Sequence, residues 1–215
     1  MSRLQKIFAL GGVAVLILGA IIIRDRQAGY IAYNNFDYKT AEVEFSKSVD
    51  RGDPWSSYFV GLIHDRPHFG QIDRKKSAKA FLKSAKLGIT DGAIRYLDLV
   101  YRSQNSKSYC PIATKLMANA VATHRFLAIV QYAKYLGEGK CTDKDPISRL
   151  HHLKWAGDLE PQFGSNYVDT YESMSATQRS KFDAEKFTKP RRIEEKTFLK
   201  IFFAALDQTS PPEFK

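Results

Sequence analysis

Residues 37–52, DYKTAEVEFSKSVDRG, and residues 73–88, DRKKSAKAFLKSAKLG, are one pattern written twice at an offset of 36 residues. Six of the 16 aligned positions are identical: Asp37/Asp73, Lys39/Lys75, Phe45/Phe81, Lys47/Lys83, Ser48/Ser84 and Gly52/Gly88. Chance would give about one. The offset continues more faintly. The Phe45 position runs on through Phe81, Met117 and Leu153, and the Val49 position through Ala85, Val121 and Gly157. A large apolar residue followed four positions later by a small one places both on one helical face, where the small one admits a neighbouring helix. Gly52 and Gly88 then close the helix in a left-handed turn. Partner helices are predicted between these segments, at 54–63, 92–101 and 125–136. Each unit is a helix pair that buries its apolar face by stacking on the next.

Upstream lies a different pattern. Residues 7–23, IFALGGVAVLILGAIII, form 17 consecutive positions with no charge, after Arg3 and Lys6 and before Arg24-Asp25-Arg26. That length is at the short end for a membrane-crossing helix. Every face is apolar, which fits a buried core helix poorly. Signal cleavage wants small residues at the last and third-last positions; Ala20 is preceded at that offset by Leu18, and Ala28 by Arg26. The run is therefore expected to stay as an anchor. The basic flanks nearly tie, so the short leading tail argues for an inside N-terminus with the bulk of the chain exported.

The repeats resemble the Sel-one-like family, relatives of tetratricopeptide repeats. Asp73, Lys76, Ala78, Lys83, Ala85 and Gly88 fall on the family's spacing, and Asp37, Ala41, Lys47 and Gly52 echo it. Tyr135-Leu136-Gly137-Glu138-Gly139 resembles its Gly-x-Gly turn, followed by Asp143 and Trp155-Ala156, and Met174-Ser175-x-x-Gln178 resembles the opening of a closing helix. The chain departs from the family where a Trp is expected, at Glu44 and Ala80, and where Pro67-His68-Phe69-Gly70 replaces the second unit's turn. The resemblance implies an all-α solenoid of about four helix pairs and a protein-binding role.

Three segments are expected: tail and anchor at 1–26, a helical-repeat solenoid at 27–160, and C-terminal capping helices at 161–215. Ser175-x-x-Gln178 is a capping box opening a helix that carries Phe182 and Phe187 and breaks at Pro190. Ile193, Phe198, Leu199, Phe202, Phe203 and Leu206 mark a last helix, expected to pack across the solenoid's open end, with a docking helix for a partner or an interfacial membrane helix as the alternatives. Cys110, before Pro111, and Cys141, after the Gly-x-Gly turn, are each read into the loop joining the two helices of a unit, in neighbouring units. Such loops stack side by side, so a Cys110–Cys141 disulfide is expected in an oxidising compartment, with two unpaired thiols as the alternative.

Composition narrows the chemistry. The chain has 215 residues, a formal net charge of +10, 44% hydrophobic residues and two cysteines, with a mean hydropathy of −0.35. Those values exclude a disordered chain, a cysteine-rich scaffold and a multi-span membrane protein. No nucleophile elbow, His-Glu-x-x-His or phosphate loop is present: Lys134-x-x-x-x-Gly139-Lys140-Cys141 lacks the first Gly and the final Ser or Thr. Pro67 separates His64 from His68, and His151-His152 point apart on a helix. No catalytic residue, metal, cofactor or small-molecule substrate is expected.

Arg3 and Lys6 account for two of the positive charges, leaving +8 on residues 7–215. With export, nucleic acid is not the expected partner. The charge suits steering toward an acidic protein or an anionic lipid surface, or simply a solvated face. Aromatic residues crowd the start of the solenoid, and Tyr and Trp serve as binding anchors. Tyr33, Tyr58, His64, Tyr101 and Tyr132 are therefore candidates for a partner-binding surface. The expectation is a non-enzymatic, membrane-anchored scaffold or assembly factor in a bacterial cell envelope, its body periplasmic and its anchor in the inner membrane. The alternative is an immunity protein that inhibits a periplasm-acting toxin such as a secreted lipase.

Overall fold

The computed structural model describes residues 3–66, 72–103, 106–141 and 143–208, with the side chains of residues 3–18 and 106–108 outside that description. Among the described residues every regular element is helical. The chain divides into two compact units, Met1–Ile89 and Thr90–Phe214, a division that falls inside the predicted 27–160 array.

The first unit holds α1 (Arg3–Asn34), α2 (Tyr38–Asp50), α3 (Pro54–Asp65) and α4 (Arg74–Lys86). Its sequence repeat is an inventory of helix ends. Asp37 caps α2 by accepting from Thr40 N–H at 3.0 Å, and Asp73 caps α4 from Lys76 N–H at 2.8 Å, satisfying donors that a helix start leaves orphaned. At the other end, the Ser48 carbonyl accepts from Arg51 and Asp53, and the Ser84 carbonyl from Leu87 and Ile89. Gly52 and Gly88 turn the chain at φ +85 and +99, where a Cβ would be strained. The repeated Lys83 reaches back to donate to the Val49 carbonyl at 2.8 Å, one of the carbonyls at the end of α2. Phe45 and Phe81 are fully buried.

One expectation changes here. The apolar run and the first repeat helix are a single helix, since α1 runs unbroken for 32 residues. From Ile22, inside the apolar run, onward the helix packs on the first repeat: Ser48 Oγ donates to the Ile22 carbonyl at 3.4 Å, and Asp25 pairs with both Arg24 and Arg51. Those guanidiniums hold the Asp25 carboxyl below its ordinary range. No helix among the described residues is long and apolar enough to cross a membrane; most side chains of run 7–23 lie outside those residues.

The second unit holds α5 (Thr90–Arg102), α6 (Ser106–Val121), α7 (Phe126–Glu138), α8 (Pro146–Leu159), α9 (Gly164–Glu172), α10 (Ala176–Ala184) and α11 (Glu195–Asp207). The cap of α8 is Asp145, accepting from Ser148 N–H at 2.9 Å, rather than Asp143. Asp145 stands two 36-residue periods after Asp73, so the capping register outlasts the apolar one: Leu153 is only half-buried, and Leu150, Trp155 and Ala156 carry the core. The Ser175/Gln178 capping box forms as expected, but α10 ends at Ala184, before Phe187. The closing helices also divide their work. Helices α9 and α10 pack on α8, whereas α11 returns to α5 and α6, carrying fully buried Phe198 and Phe202. The sequence motif Pro67–Gly70, with His68, and Pro211-Pro212 lie outside the described residues.

Candidate functional site

In the first unit, Tyr33 and Tyr58 both pack edge-on against Phe59, at 5.1 and 5.7 Å between ring centroids. Tyr58 also meets Trp55 and Phe81 and is buried, as is His64. His64 Nε2 lies 3.0 Å from Glu42, whose carboxylate also pairs with Lys76. Burial pushes the Glu42 carboxyl up, but the Lys76 hydrogen bond and the His64 ring beside it outweigh that and hold it below its ordinary range.

In the second unit, Tyr101 is fully buried and stacked on Tyr135 at 3.7 Å with the rings nearly parallel. Burial raises the Tyr101 phenol strongly, with the neighbouring Glu138 carboxylate adding to it, and Tyr135 donates to the Leu97 carbonyl at 3.0 Å. Tyr132 is half-buried against His152 at 5.2 Å. Three of the five candidate residues, Tyr58, His64 and Tyr101, therefore sit inside the fold instead of on a surface. The physical reason lies in the first helices of the pairs: α3, which carries Tyr58 and His64, is packed between α2 and α4, and α5, which carries Tyr101, is enclosed by α6, α7 and α11, so these side chains are core.

The turn after α7 is knit into its surroundings. Gly139 takes a left-handed φ of +64. Lys140 Nζ donates to the Tyr101 carbonyl at 2.6 Å and approaches that of Ser103 at 3.3 Å, covering orphan carbonyls at the end of α5. Cys141 is disulfide-bonded to Cys110 across a Cα separation of 4.8 Å. Cys110 lies within α6, not in a loop; a helix start, α6, is what the turn is tied to.

Concavities open on the second unit among the described residues. One, of about 390 Å³, lies among α7, α8 and α9, with Lys134, Glu138, Arg149, Asn166 and Asp169 on its walls. Its charges are mixed and near balance. Another, of about 360 Å³, is walled by α8, α10 and the irregular segment after α10: His151, Trp155, Asp183, Glu185, Phe187 and Lys189. Phe187 stacks on His151 at 5.0 Å, its plane tilted by 9°. His151 is 6% exposed, and its Nε2 has no hydrogen-bond partner; Glu185 stands 4.0 Å away. Burial lowers the His151 imidazole below its ordinary range, so the ring is neutral at physiological pH. Lys189 Nζ sits 5.5 Å from the Trp155 ring centroid and 3.8 Å from Asp158.

Little in the sequence marks this pocket. It needs Phe187 outside a helix, and the isolated aromatic shortly before Pro190 was the available signal. Among the described residues no three metal-ligating side chains are grouped.

No protein-family model matches the chain, and no curated protein matches it. Solved structures do. The chain superimposes on a protective antigen of uropathogenic Escherichia coli strains displaying an SLR fold, at a TM-score of 0.53 and 14% identity, over 90% of this chain and 50% of the antigen. It also superimposes on a Sel1 repeat protein from Oxalobacter formigenes, at a TM-score of 0.50 and 11% identity, over 89% of this chain and 74% of the other. The chain thus has a Sel1-like repeat fold, and it spans half the length of the antigen.

Proposed function

We propose that this Sel1-like repeat chain is a non-enzymatic protein-binding module, held at the inner membrane by residues 7–23 with its repeats in the periplasm. The observation that carries the reading is the stacking of capped helix pairs whose charged residues are spent on structure: Asp37, Asp73 and Asp145 cap helices, Lys83 and Lys140 cover helix ends, and Asp98 pairs with Arg102. What remains outward is surface for a partner, the usual employment of helical repeats.

Support for the location is separate. The 17-residue apolar run is long enough to span with little tilt, and α1 carries it directly into the first repeat without a linker. The Cys110–Cys141 disulfide suits an oxidising compartment. The net charge of +10 favours encounter with an acidic partner or an anionic lipid surface.

In-cell crosslinking, membrane solubilisation and identification of the adducts tests the role. Several envelope components define a scaffold or assembly factor; one secreted toxin held one to one defines an inhibitor. Catalytic turnover by the purified chain, abolished by one polar substitution without unfolding, overturns the non-enzymatic reading. A reporter fused after Lys215 tests the topology, and activity only in the cytoplasm overturns the periplasmic placement.

A further inference from the structure

We propose that the pocket between α8, α10 and residues 185–189 receives a single basic side chain, an arginine or lysine presented by the protein partner. This rests on the protein-binding reading above.

The walls are built for a cation. Asp158, Asp183 and Glu185 bring three carboxylates against two ammoniums, Lys154 and Lys189. Asp183 is held in place by the Tyr171 hydroxyl, which donates to it at 3.0 Å. Trp155 and Phe187 line the same pocket, Lys189 already lies over the Trp155 ring, and aromatic faces attract cations. An anion would meet three carboxylates. An apolar side chain would leave the His151 ring nitrogen buried without a partner, which is costly. A guanidinium or ammonium satisfies that nitrogen, pairs with Glu185 and lies on the rings at the same time. Arginine matches best, because its planar fork offers several donors and stacks on aromatic faces. The volume of about 360 Å³ is near the lower end for ligand cavities, roughly 300–1,000 Å³, and suits one side chain.

The chain already performs a version of this binding. Lys189 places its own ammonium over Trp155 and beside Asp158, yet it remains 49% exposed on a segment without regular structure. It is a loosely held resident cation. A partner's arginine displaces it and reaches deeper, to the His151 nitrogen. The overall positive charge of the molecule governs long-range steering; the pocket governs which residue the partner inserts.

Trp155 and Trp55 are the two tryptophans of the chain, so the indole resonances give a site probe and an internal reference. The full chain in zwitterionic detergent micelles is titrated with acetyl-Gly-Arg-Gly-amide and, separately, with its Glu counterpart. The Arg peptide is expected to shift the Trp155 indole and leave Trp55 in place, with a Kd on the order of 1 mM; the Glu peptide is expected to shift neither. Lys189→Ala, which removes the resident cation, tightens binding, and Glu185→Gln weakens it by about threefold to fivefold. No Trp155 shift, an equal shift with the Glu peptide, or weaker binding by Lys189→Ala overturns the proposal. A partner found by crosslinking with no peptide response refutes the pocket alone; a peptide response with no crosslinked partner refutes the protein-binding reading.

Discussion

The ring of Phe45 on α2 lies directly on Gly29 of α1, so close that a Cβ at residue 29 would come within 2.6 Å of it. The second pair repeats the arrangement, with Phe81 of α4 on Gly61 of α3 at 2.5 Å. The missing side chain is what lets each helix pair close over its phenylalanine. Gly29→Ala overpacks a core site and should cost about 1–3 kcal/mol, despite the better helix propensity of alanine. Denaturant unfolding measures it. The double variant Gly29→Ala/Phe45→Leu should recover part of the loss; a fully stable single variant would show that the ring can move aside.

The Cys110–Cys141 bond closes a loop across 31 positions, holding the turn after α7 to the start of α6. A loop of that length restricts the unfolded chain enough to stabilise by about 3–4 kcal/mol in the chain-entropy account. Dithiothreitol should therefore lower the unfolding midpoint of the chain, and Cys110→Ala/Cys141→Ala should reproduce that lower midpoint without dithiothreitol. Native, unreduced protein should resist alkylation. Labelling of both thiols under those conditions would remove the bond and the compartment argument with it.

The helix pairs were legible because their signals are local. An aspartate at 37 or 73 needs only the amide three residues on, and a glycine at 52 or 88 needs only its own backbone. The same logic reaches Asp145, whose register is periodic although the surrounding apolar pattern has drifted. What the sequence does not carry is the identity of a buried face's neighbour. Phe198 and Phe202 announce a buried stripe, but nothing local says that it closes on α5 and α6. The aromatic candidates turn on the same point: Tyr58 and Tyr101 have the composition of binding anchors, and the structure buries both among neighbouring helices. The pocket at His151 draws on α8, α10 and an irregular segment, a meeting that no single stretch encodes.

Stability should fall on mild acidification. Burial is the main cause that lowers both His151 and His152 below their ordinary value of 6.5, so the folded state holds fewer protons than the unfolded one in that range. The stabilisation is fully present above 6.5 and is lost as pH falls through the lowered folded values. The depressed carboxylates Glu42 and Asp145 act further down, below ordinary values of 4.5 and 3.8. Unfolding free energies measured between about pH 7 and about pH 5 should decline for the native chain and decline less for His152→Gln, which keeps a donor for the Ser148 carbonyl. Equal slopes would show that His152 is protonated freely in the folded state.

Helix α11 is a latch whose strength can be read separately from its presence. The Ile193 amide donates to the Ala122 carbonyl at 2.9 Å, and the His124 ring donates through Nε2 to the Pro190 carbonyl at 2.9 Å. Both contacts grip the turn after α6, where His124 itself takes a left-handed φ of 59. Arg125 forks onto Asp91 at 2.7 and 3.1 Å and reaches Glu195 at 3.6 Å. These polar contacts orient the segment, but they are partly exposed and individually modest. The larger share comes from Phe198 and Phe202, both fully buried, with Phe202 edge-on to Tyr96 at 6.0 Å. Phe202→Ala should therefore cost about 3–5 kcal/mol, whereas Phe202→Leu, which keeps most of the volume, should cost less than about 1.5 kcal/mol. Hydrogen exchange across 195–207 is the discriminating measurement. Protection lost in Phe202→Ala and retained in Arg125→Gln places the latch in the aromatic contact; the reverse order would place it in the ion pairs.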